Sequence, residues 1–386
     1  MTTRNSTPNS VRIVSLFPEL LGVGGVQEAG RQTAAALDEI ASAKSWATSF
    51  LSLNDPIGLQ SFGVDERKIS LHGFGRSKLR FVYSVMGQAL KNTTLVLAAH
   101  PNLALPASWM KRFSPGLKMV VMSHGIEVWQ PLSSRRRIAL CAADLVLAPS
   151  RDTAQKLANV QGVSREKVLR LAWPVSSNFL RWANAPGDLP LPEKFPRGQV
   201  VLTVGRWAAS ERYKGADKLI SAVASLRKNF PDLHLVAVGG GDDLPRLQKQ
   251  VSELSVVERV HFLEGISRQE LAACYAHADV FALPSTGEGF GIVFLEAMAF
   301  RKPIVGAARG GATDLIREGV NGLLVPPHDP EQLAQALDRL LRDGRLRAEM
   351  GLRGGEIVRR EYGFEAFRSG LENILAECGL DSGLPA

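Results

Sequence analysis

Residues 279–299 constrain this chain more than any other stretch. Asp279-Val-Phe-Ala-Leu283 is a short apolar run of the kind that makes a buried parallel strand. Pro284, Gly287, Gly289 and Gly291 then break regular structure, and from about Ile292 the apolar residues take helical spacing. A strand, a glycine-rich turn and a helix start offer bare N–H groups and a partial positive charge, which suit an anion and above all a phosphate. Glu288 sits in the turn, and Glu296 about one turn into the helix, where its direction depends on the helix rotation. A carboxylate beside a phosphate is unfavourable unless it does something else, and accepting hydrogen bonds from the vicinal hydroxyls of a sugar is such a use. The stretch therefore reads as a site for a phosphate attached to sugars. The plain alternative is a tight strand–helix turn with two solvated glutamates.

The same alternation recurs along the chain. Val11–Phe17 reads as a first strand, followed by a loop from Pro18 to Gly25 and a helix to about Ile40. Ala47–Leu53, Thr94–His100 and Lys118–Ser123 read as further strands, with helices from about Ser77 to Leu90 and up to Phe113. Such repetition predicts an α/β fold with parallel sheets covered on both faces, whose ligands collect at the carboxyl ends of the strands. Gly24 and Gly25 lie near the first such end, and His100 and His124 at later ones. Glycines there satisfy a tight turn without any ligand, and a strand-end histidine is often a structural hydrogen-bonding residue.

Residues 184–198 are dense in proline and glycine, which marks a linker. Past it, Gln199–Gly205, Leu235–Gly241, Val260–Gly265 and Pro303–Gly306 repeat the strand pattern, and a last helix runs from about Phe364 to Cys378. Arg206 and Lys214 follow the first of these strands and precede a helix from Ala216. Two such cations can hold a diphosphate, the arginine as a fork to two oxygens and the lysine as a mobile point charge. Either also reads as a surface residue.

At 386 residues the chain has room for two domains, and its net charge of +8 leans basic. Arg76, Lys78 and Arg80 precede Phe81-Val-Tyr83, and Arg135–Arg137 form a second cluster. Both read as solvated faces or as a patch drawn to an anionic membrane surface. Nucleic acid is not expected as a partner, because no basic, aromatic-interleaved module is present. Three cysteines (Cys141, Cys274, Cys378) lie far apart without metal spacing, which suggests structural thiols in a reducing compartment. The first ten residues carry no apolar signal core and no run is long enough to span a bilayer, so a cytoplasmic location is expected, with peripheral attachment to the inner membrane face as an extension. There is no D-x-D, H-E-x-x-H or G-x-S-x-G, which removes support for a D-x-D metal site, zinc hydrolysis and the α/β-hydrolase triad.

Glu288 and Glu296 have seven residues between them in the frame E-G-F-G-x-x-x-x-E-A-M-A, which resembles the E-x7-E signature of the retaining, family-four, GT-B-type glycosyltransferases (glycosyl transferases group 1). The V-G-R…K-G pattern ending at Lys214-Gly215 resembles the family's diphosphate-binding pair. Gly24-Gly-Val-Gln27 resembles its N-terminal glycine loop, and Ser123-His-Gly-Ile-Glu127 its H-G-x-[DE] strand end. The resemblance runs with few gaps from about Val201 to Met350 and only in short patches before that. It fails at Trp173-Pro-Val-Ser-Ser177, where family members often show P-N-G-V-D.

The resemblance implies two doubly wound, Rossmann-like domains facing each other across a cleft. Residues 1–183 would bind the acceptor, 184–198 would link, and 199–363 would bind the nucleotide sugar, with the segment 364–386 packing back on the first domain. It implies transfer of a sugar from a nucleotide-diphosphate sugar to a hydroxyl acceptor, with retention, in surface polysaccharide, lipopolysaccharide or glycolipid assembly. Glu288, His124, Arg206 and Lys214 would be catalytic. Donor binding would fall to Gly24, Gly25, Arg206, Lys214, Glu288, Gly289, Phe290, Gly291, Ile292, Val293 and Glu296. No cofactor and no metal would be required, and the partners would be a nucleotide sugar and a carbohydrate or lipid-linked acceptor. A nucleotide-sugar epimerase, a phosphorylase or a non-catalytic subunit that keeps the fold are the alternatives.

Overall fold

The computed structural model describes residues 11–64 and 67–380. They divide into two compact units, the described residues of 11–174 with 364–380, and Val175–Gly363.

The first unit is built on eight strands: β1 (Arg12–Phe17), β2 (Ala47–Ser52), β3 (Gly58–Val64), β4 (Arg67–Gly73), β5 (Leu95–Ala98), β6 (Lys118–Met122), β7 (Leu145–Ala148) and β8 (Val168–Arg170). They lie in the order β3-β4-β2-β1-β5-β6-β7-β8. All neighbours pair in parallel except β3 with β4. The central strands are continuous apolar runs because both faces are covered: Leu95–Ala98 is buried at every position. At the edge, β3 alternates between exposed and half-buried residues, as a strand with one solvated face does. Helices α1 (Gly25–Lys44), α2 (Lys78–Ala89), α3 (Ala104–Phe113), α4 (Ser134–Cys141) and α5 (Arg151–Asn159) connect the strands. Phe81 and Val85 of α2, Ala107 and Met110 of α3, Leu140 of α4 and Leu157 of α5 join one apolar core on the sheet. The C-terminal helix, Phe364–Glu377, lies along α1, with Lys44 3.1 Å from Glu372 and Arg368 3.5 Å from Glu39. Residues 381–386 of the segment expected to pack there lie outside the described residues.

The second unit carries six parallel strands: β9 (Gln199–Val204), β10 (Leu233–Val238), β11 (Val260–Leu263), β12 (Val280–Leu283), β13 (Ile304–Ala307) and β14 (Gly322–Val325). Their order is β11-β10-β9-β12-β13-β14, so the chain winds outward from β9 one way and then from β12 the other. A crevice opens where such an order reverses, here between the carboxyl ends of β9 and β12. The helices are α6 (Ser177–Asn184), α7 (Ala216–Leu226), α8 (Leu244–Glu253), α9 (Arg268–His277), α10 (Ile292–Ala299), α11 (Ala312–Leu315), α12 (Pro330–Arg342) and α13 (Gly344–Glu361). Their starts follow capping chemistry. Ser267 and Glu270 form a reciprocal capping box at α9, and Asp329 caps α12 ahead of Pro330 at its first position.

An aromatic cluster anchors α9 and α10 under the crevice. Phe281 meets Phe294 edge-on at 5.7 Å, and Tyr275 stacks on Phe300 at 6.0 Å. Removing the fully buried Phe294 side chain would cost ~3–5 kcal/mol. Phe179 of α6 joins this cluster, 6.0 Å from Tyr275 and 6.2 Å from Phe300. That contact draws α6 and the proline-rich 184–198 into the second unit, and the division falls at Pro174–Val175 rather than in the proline-rich stretch.

Candidate functional site

The carboxyl end of β9 leads into Gly205 and Arg206, and a 3-10 turn over Ala209–Lys214 brings Lys214 back to it. The lysine stem packs where Gly205 has no side chain, since a Cβ there would lie 3.2 Å from Lys214 Cδ. Lys214 Nζ lies 3.4 Å from Glu211 Oε2 and 3.8 Å from Glu288 Oε1. Arg206 pairs with the same Glu211. The result is a chain of alternating charges, Arg206–Glu211–Lys214–Glu288, spanning the ends of β9 and β12. Lys214 keeps only 16% of its side chain exposed, whereas Arg206 keeps 71%. The lysine is therefore the fixed cation and the arginine the one free to swing.

The glycines explain why two loops can approach this closely. Gly215, at φ 76°, ends the 3-10 turn, and a Cβ on it would press on Pro284 at 3.0 Å. A Cβ on Gly287 would enter the Tyr213 ring at 2.6 Å, and Thr286 N–H donates to the Tyr213 carbonyl at 2.9 Å. Burial, and then the charge of Glu288, push the Tyr213 phenol pKa up. On the other flank, Gly311 N–H donates to the Glu288 carbonyl at 2.8 Å. A Cβ on Gly311 would lie 2.5 Å from the Phe290 carbonyl oxygen. The loop carrying Glu288, Gly289 and Phe290 is thus wedged between residues 213–215 and 310–311.

Gly291, at φ 97°, turns the chain into α10 and supplies no side-chain cap. The first-turn amides, those of Ile292 and Val293 among them, are therefore left as donors at the positive end of the helix dipole. Phe290 is buried, so it offers its backbone rather than its ring. Glu296, within α10, is largely buried, and its Oε2 accepts a hydrogen bond from Tyr275 Oη at 2.9 Å. Tyr275 is fully enclosed, and burial with the neighbouring Glu296 charge raises its phenol pKa well above the ordinary value. The tyrosine stays a donor and fixes the glutamate rotamer.

The remaining expected residues lie in the first unit. Gly24 (φ 149°) is the N-cap of α1 and Gly25 its first residue, so both line a helix start beyond β1. His124 lies beyond β6, where its Nε2 donates to the Ala99 carbonyl at 2.8 Å and its N–H donates to Glu127 at 2.5 Å. Its ring stands 5.7 Å from His100 and 5.3 Å from Trp173. Nδ1 of His100 accepts from Asn102 N–H at 3.1 Å. Burial, with the His124 charge next, pushes the His100 pKa down to about 4. The structure thus gathers Arg206, Lys214 and Glu288 in one cluster, with Gly289–Val293 and Glu296 following on the same loop and helix. His124, Gly24 and Gly25 form separate groups in the other unit. Glu211, which couples the two cations, and Tyr275, which holds Glu296, were not read from the sequence. Glu211 carried one available signal, its position three residues before Lys214.

Residues 192–356 match the sequence model of a family described as glycosyl transferases group 1. A GDP-mannose-dependent alpha-(1-6)-phosphatidylinositol monomannoside mannosyltransferase of Mycolicibacterium smegmatis is 36% identical over 251 residues, covering 61% of this chain and 64% of the relative. A D-inositol 3-phosphate glycosyltransferase of Salinispora tropica is 38% identical over 198 residues, 49% of this chain and 40% of the relative. The chain thus spans less than two thirds of the length of either. Among solved structures, HepE of Anabaena in complex with UDP superposes with a TM-score of 0.71 at 20% identity, over 95% of this chain and 100% of that one. Sucrose-phosphate synthase of Thermosynechococcus elongatus superposes with a TM-score of 0.75 at 23% identity, over 96% of this chain and 100% of that one. These are likenesses of fold, and the fold is the GT-B class expected from the sequence. The charge chain and the glycine loop both lie inside residues 192–356, the part of this chain that matches the glycosyl transferases group 1 family.

Proposed function

We propose that this chain is a glycosyltransferase that moves a sugar from a nucleotide-diphosphate sugar to a hydroxyl acceptor. The observation that carries the reading is the Arg206–Glu211–Lys214–Glu288 chain beside the helix start at Gly291. In this reading Lys214, Arg206 and the amides of Gly289–Val293 hold the diphosphate. Glu288 accepts hydrogen bonds from the hydroxyls of the transferred sugar, and Glu296, oriented by Tyr275, does so from the ribose. The first unit, with His124 and the Gly24–Gly25 turn at the carboxyl ends of its strands, is assigned the acceptor. The bond from the anomeric carbon to the departing phosphate oxygen breaks as the acceptor oxygen bonds to that carbon. The acceptor proton passes to the departing phosphate on the same face, so configuration is retained. Negative charge grows on the diphosphate in this step, and preoriented cations stabilise it better than water does. Arg206 and Lys214 supply that charge, so transfer is expected to survive a chelator.

The names of the relatives support a glycolipid or inositol-containing acceptor. GDP-mannose in one name and UDP in one related structure leave the base open. A lipid-linked acceptor would place the enzyme at the cytoplasmic surface of the membrane that carries it, and no described helix is long and apolar enough to cross one. The test is turnover of UDP-, GDP- and ADP-sugars by the purified chain, as hydrolysis and as transfer. Lys214→Ala and Glu288→Gln should each lower turnover by ~10²–10³-fold with the circular dichroism unchanged. Near-normal turnover in either variant would remove that residue from the mechanism.

A further inference from the structure

The charge of the chain is not spread evenly. From Arg67 to Ala143 there are twelve Lys and Arg residues and a single acid, Glu127, leaving 34 cations against 37 acids elsewhere. This segment contains α2, α3 and α4, and in the structure α2 packs on α3 and α3 on α4, forming one layer over the sheet of the first unit.

Helix α2 has two apolar stripes where a surface helix has one. Phe81, Val85 and Ala89 face the core. Leu79, Tyr83 and Leu90, at helical spacings of four and seven, lie on another side, and each is more than four-fifths exposed. Phe113 of α3 and Ile138 of α4 are about two-thirds exposed on the neighbouring helices. Among the described residues, no ion pair engages Arg76, Lys78 or Arg80 at the start of α2, or Arg135, Arg136 or Arg137 on α4. Lys111 and Arg67, by contrast, are paired, with Asp144 and with Asp38 and Glu39.

We propose that the outer face of α2–α4 docks on an anionic lipid bilayer. The inference deepens the proposed membrane-borne acceptor and rests on that reading for its purpose, while its evidence is the face itself. Exposed leucine, tyrosine and phenylalanine side chains among cations match an interface that offers acyl chains beneath phosphate headgroups. A nucleic acid would use the cations and leave the leucines in water, and a second copy of this face would bring like charges together.

The experiment sediments the full chain with phosphatidylcholine vesicles, with and without phosphatidylglycerol, at low and high salt. Binding is expected only to the anionic vesicles, and it should weaken as salt rises. The triple variant Arg135→Gln, Arg136→Gln, Arg137→Gln should lower partitioning roughly a hundredfold. The triple variant Leu79→Ser, Tyr83→Ser, Leu90→Ser should lower it about tenfold or more. Both should keep the wild-type melting temperature and hydrolyse a soluble donor normally. Several results would overturn the proposal: no vesicle binding, equal binding to neutral vesicles, or partitioning unaffected by either variant. Equally tight binding of duplex DNA, indifferent to the leucine variant, would assign the face to nucleic acid. A wild-type dimer that the leucine variant dissolves would assign it to a second copy. Failure of donor turnover with vesicle binding intact would sink the transferase reading and leave this surface standing.

Discussion

Replacing Gly311 with alanine isolates the role of the wedged loop. Its backbone is ordinary for any residue, at φ −61° and ψ −23°, so alanine brings no conformational strain. The obstacle is contact alone. The new Cβ would lie 2.5 Å from the Phe290 carbonyl oxygen and 2.7 Å from its carbonyl carbon. Ordinary carbon contacts begin near ~3.5 Å, so the Glu288–Gly291 loop must retreat by about 1 Å. Overpacking of this kind costs ~1–3 kcal/mol, offset by ~0.4–1 kcal/mol from the stiffer unfolded chain. The net loss of ~1–2 kcal/mol should lower the melting temperature by only a few degrees in a unit of this size, at ~2–4 °C per kcal/mol. Turnover is far more sensitive, since a displacement of ~1 Å at a reacting centre can cost ~10²-fold. Gly319→Ala is the control. That glycine holds φ 72° with open space around it, so its alanine variant pays a backbone penalty of ~1–2 kcal/mol without pressing on the site. The assay is kcat/KM with a donor sugar beside a melting curve for each variant. The reasoning predicts similar melting temperatures and a rate loss confined to Gly311→Ala. Wild-type turnover in Gly311→Ala, or equal rate losses in both, would refute it.

Two further outcomes follow from buried groups. Tyr275→Phe removes a donor from Glu296 inside the aromatic cluster and should cost ~1–3 kcal/mol in urea unfolding. The loss should be smaller when Glu296→Gln is already present, so additive costs would mean the pair is not coupled. His100 gives a pH dependence whose sign is fixed by its depressed pKa. Above pH ~6.5 the ring is neutral in both folded and unfolded chains and contributes nothing. As pH falls toward its folded pKa of about 4, the unfolded chain takes up a proton that the folded one does not, and stability declines by up to ~3 kcal/mol. His124 and Arg136 work with burial in this direction and Glu127 works against it. His100→Asn keeps an acceptor for Asn102 and should flatten unfolding free energy between pH 7 and 4.5, and an unchanged slope would place the titration elsewhere.

The sequence made the second unit legible because its signals are local. Val201, Phe281 and Ile304 sit in short apolar runs, each closed by glycine or proline, and each run became a strand. The charge chain was half legible, since Lys214 and Glu288 are conspicuous cleft-type residues. Glu211 carries no mark of its own beyond nearness to Lys214. Tyr275 reads as core, and only the packing of α9 against the aromatic cluster aims its hydroxyl at Glu296. The hairpin of β3 and β4 was missed because Gly58 and Gly63 dilute the alternation, so that no apolar run stands out. Residues 175–183 were expected with the first domain, whereas the chain divides at Pro174–Val175. Proline density marks a break in regular structure, but which unit a flanking helix joins depends on where Phe179 finds partners.

The central claim is that Lys214, between Glu211 and Glu288, grips a nucleoside diphosphate. Calorimetric titration of the full chain with UDP, GDP and ADP, and with the matching monophosphates, tests it directly. One of the diphosphates should bind at least tenfold more tightly than its monophosphate. Lys214→Ala should abolish most of that difference, a loss of ~1.5–3 kcal/mol for one charge-assisted contact. If no diphosphate binds, or if Lys214→Ala binds it as tightly as the wild type, the claim is contradicted.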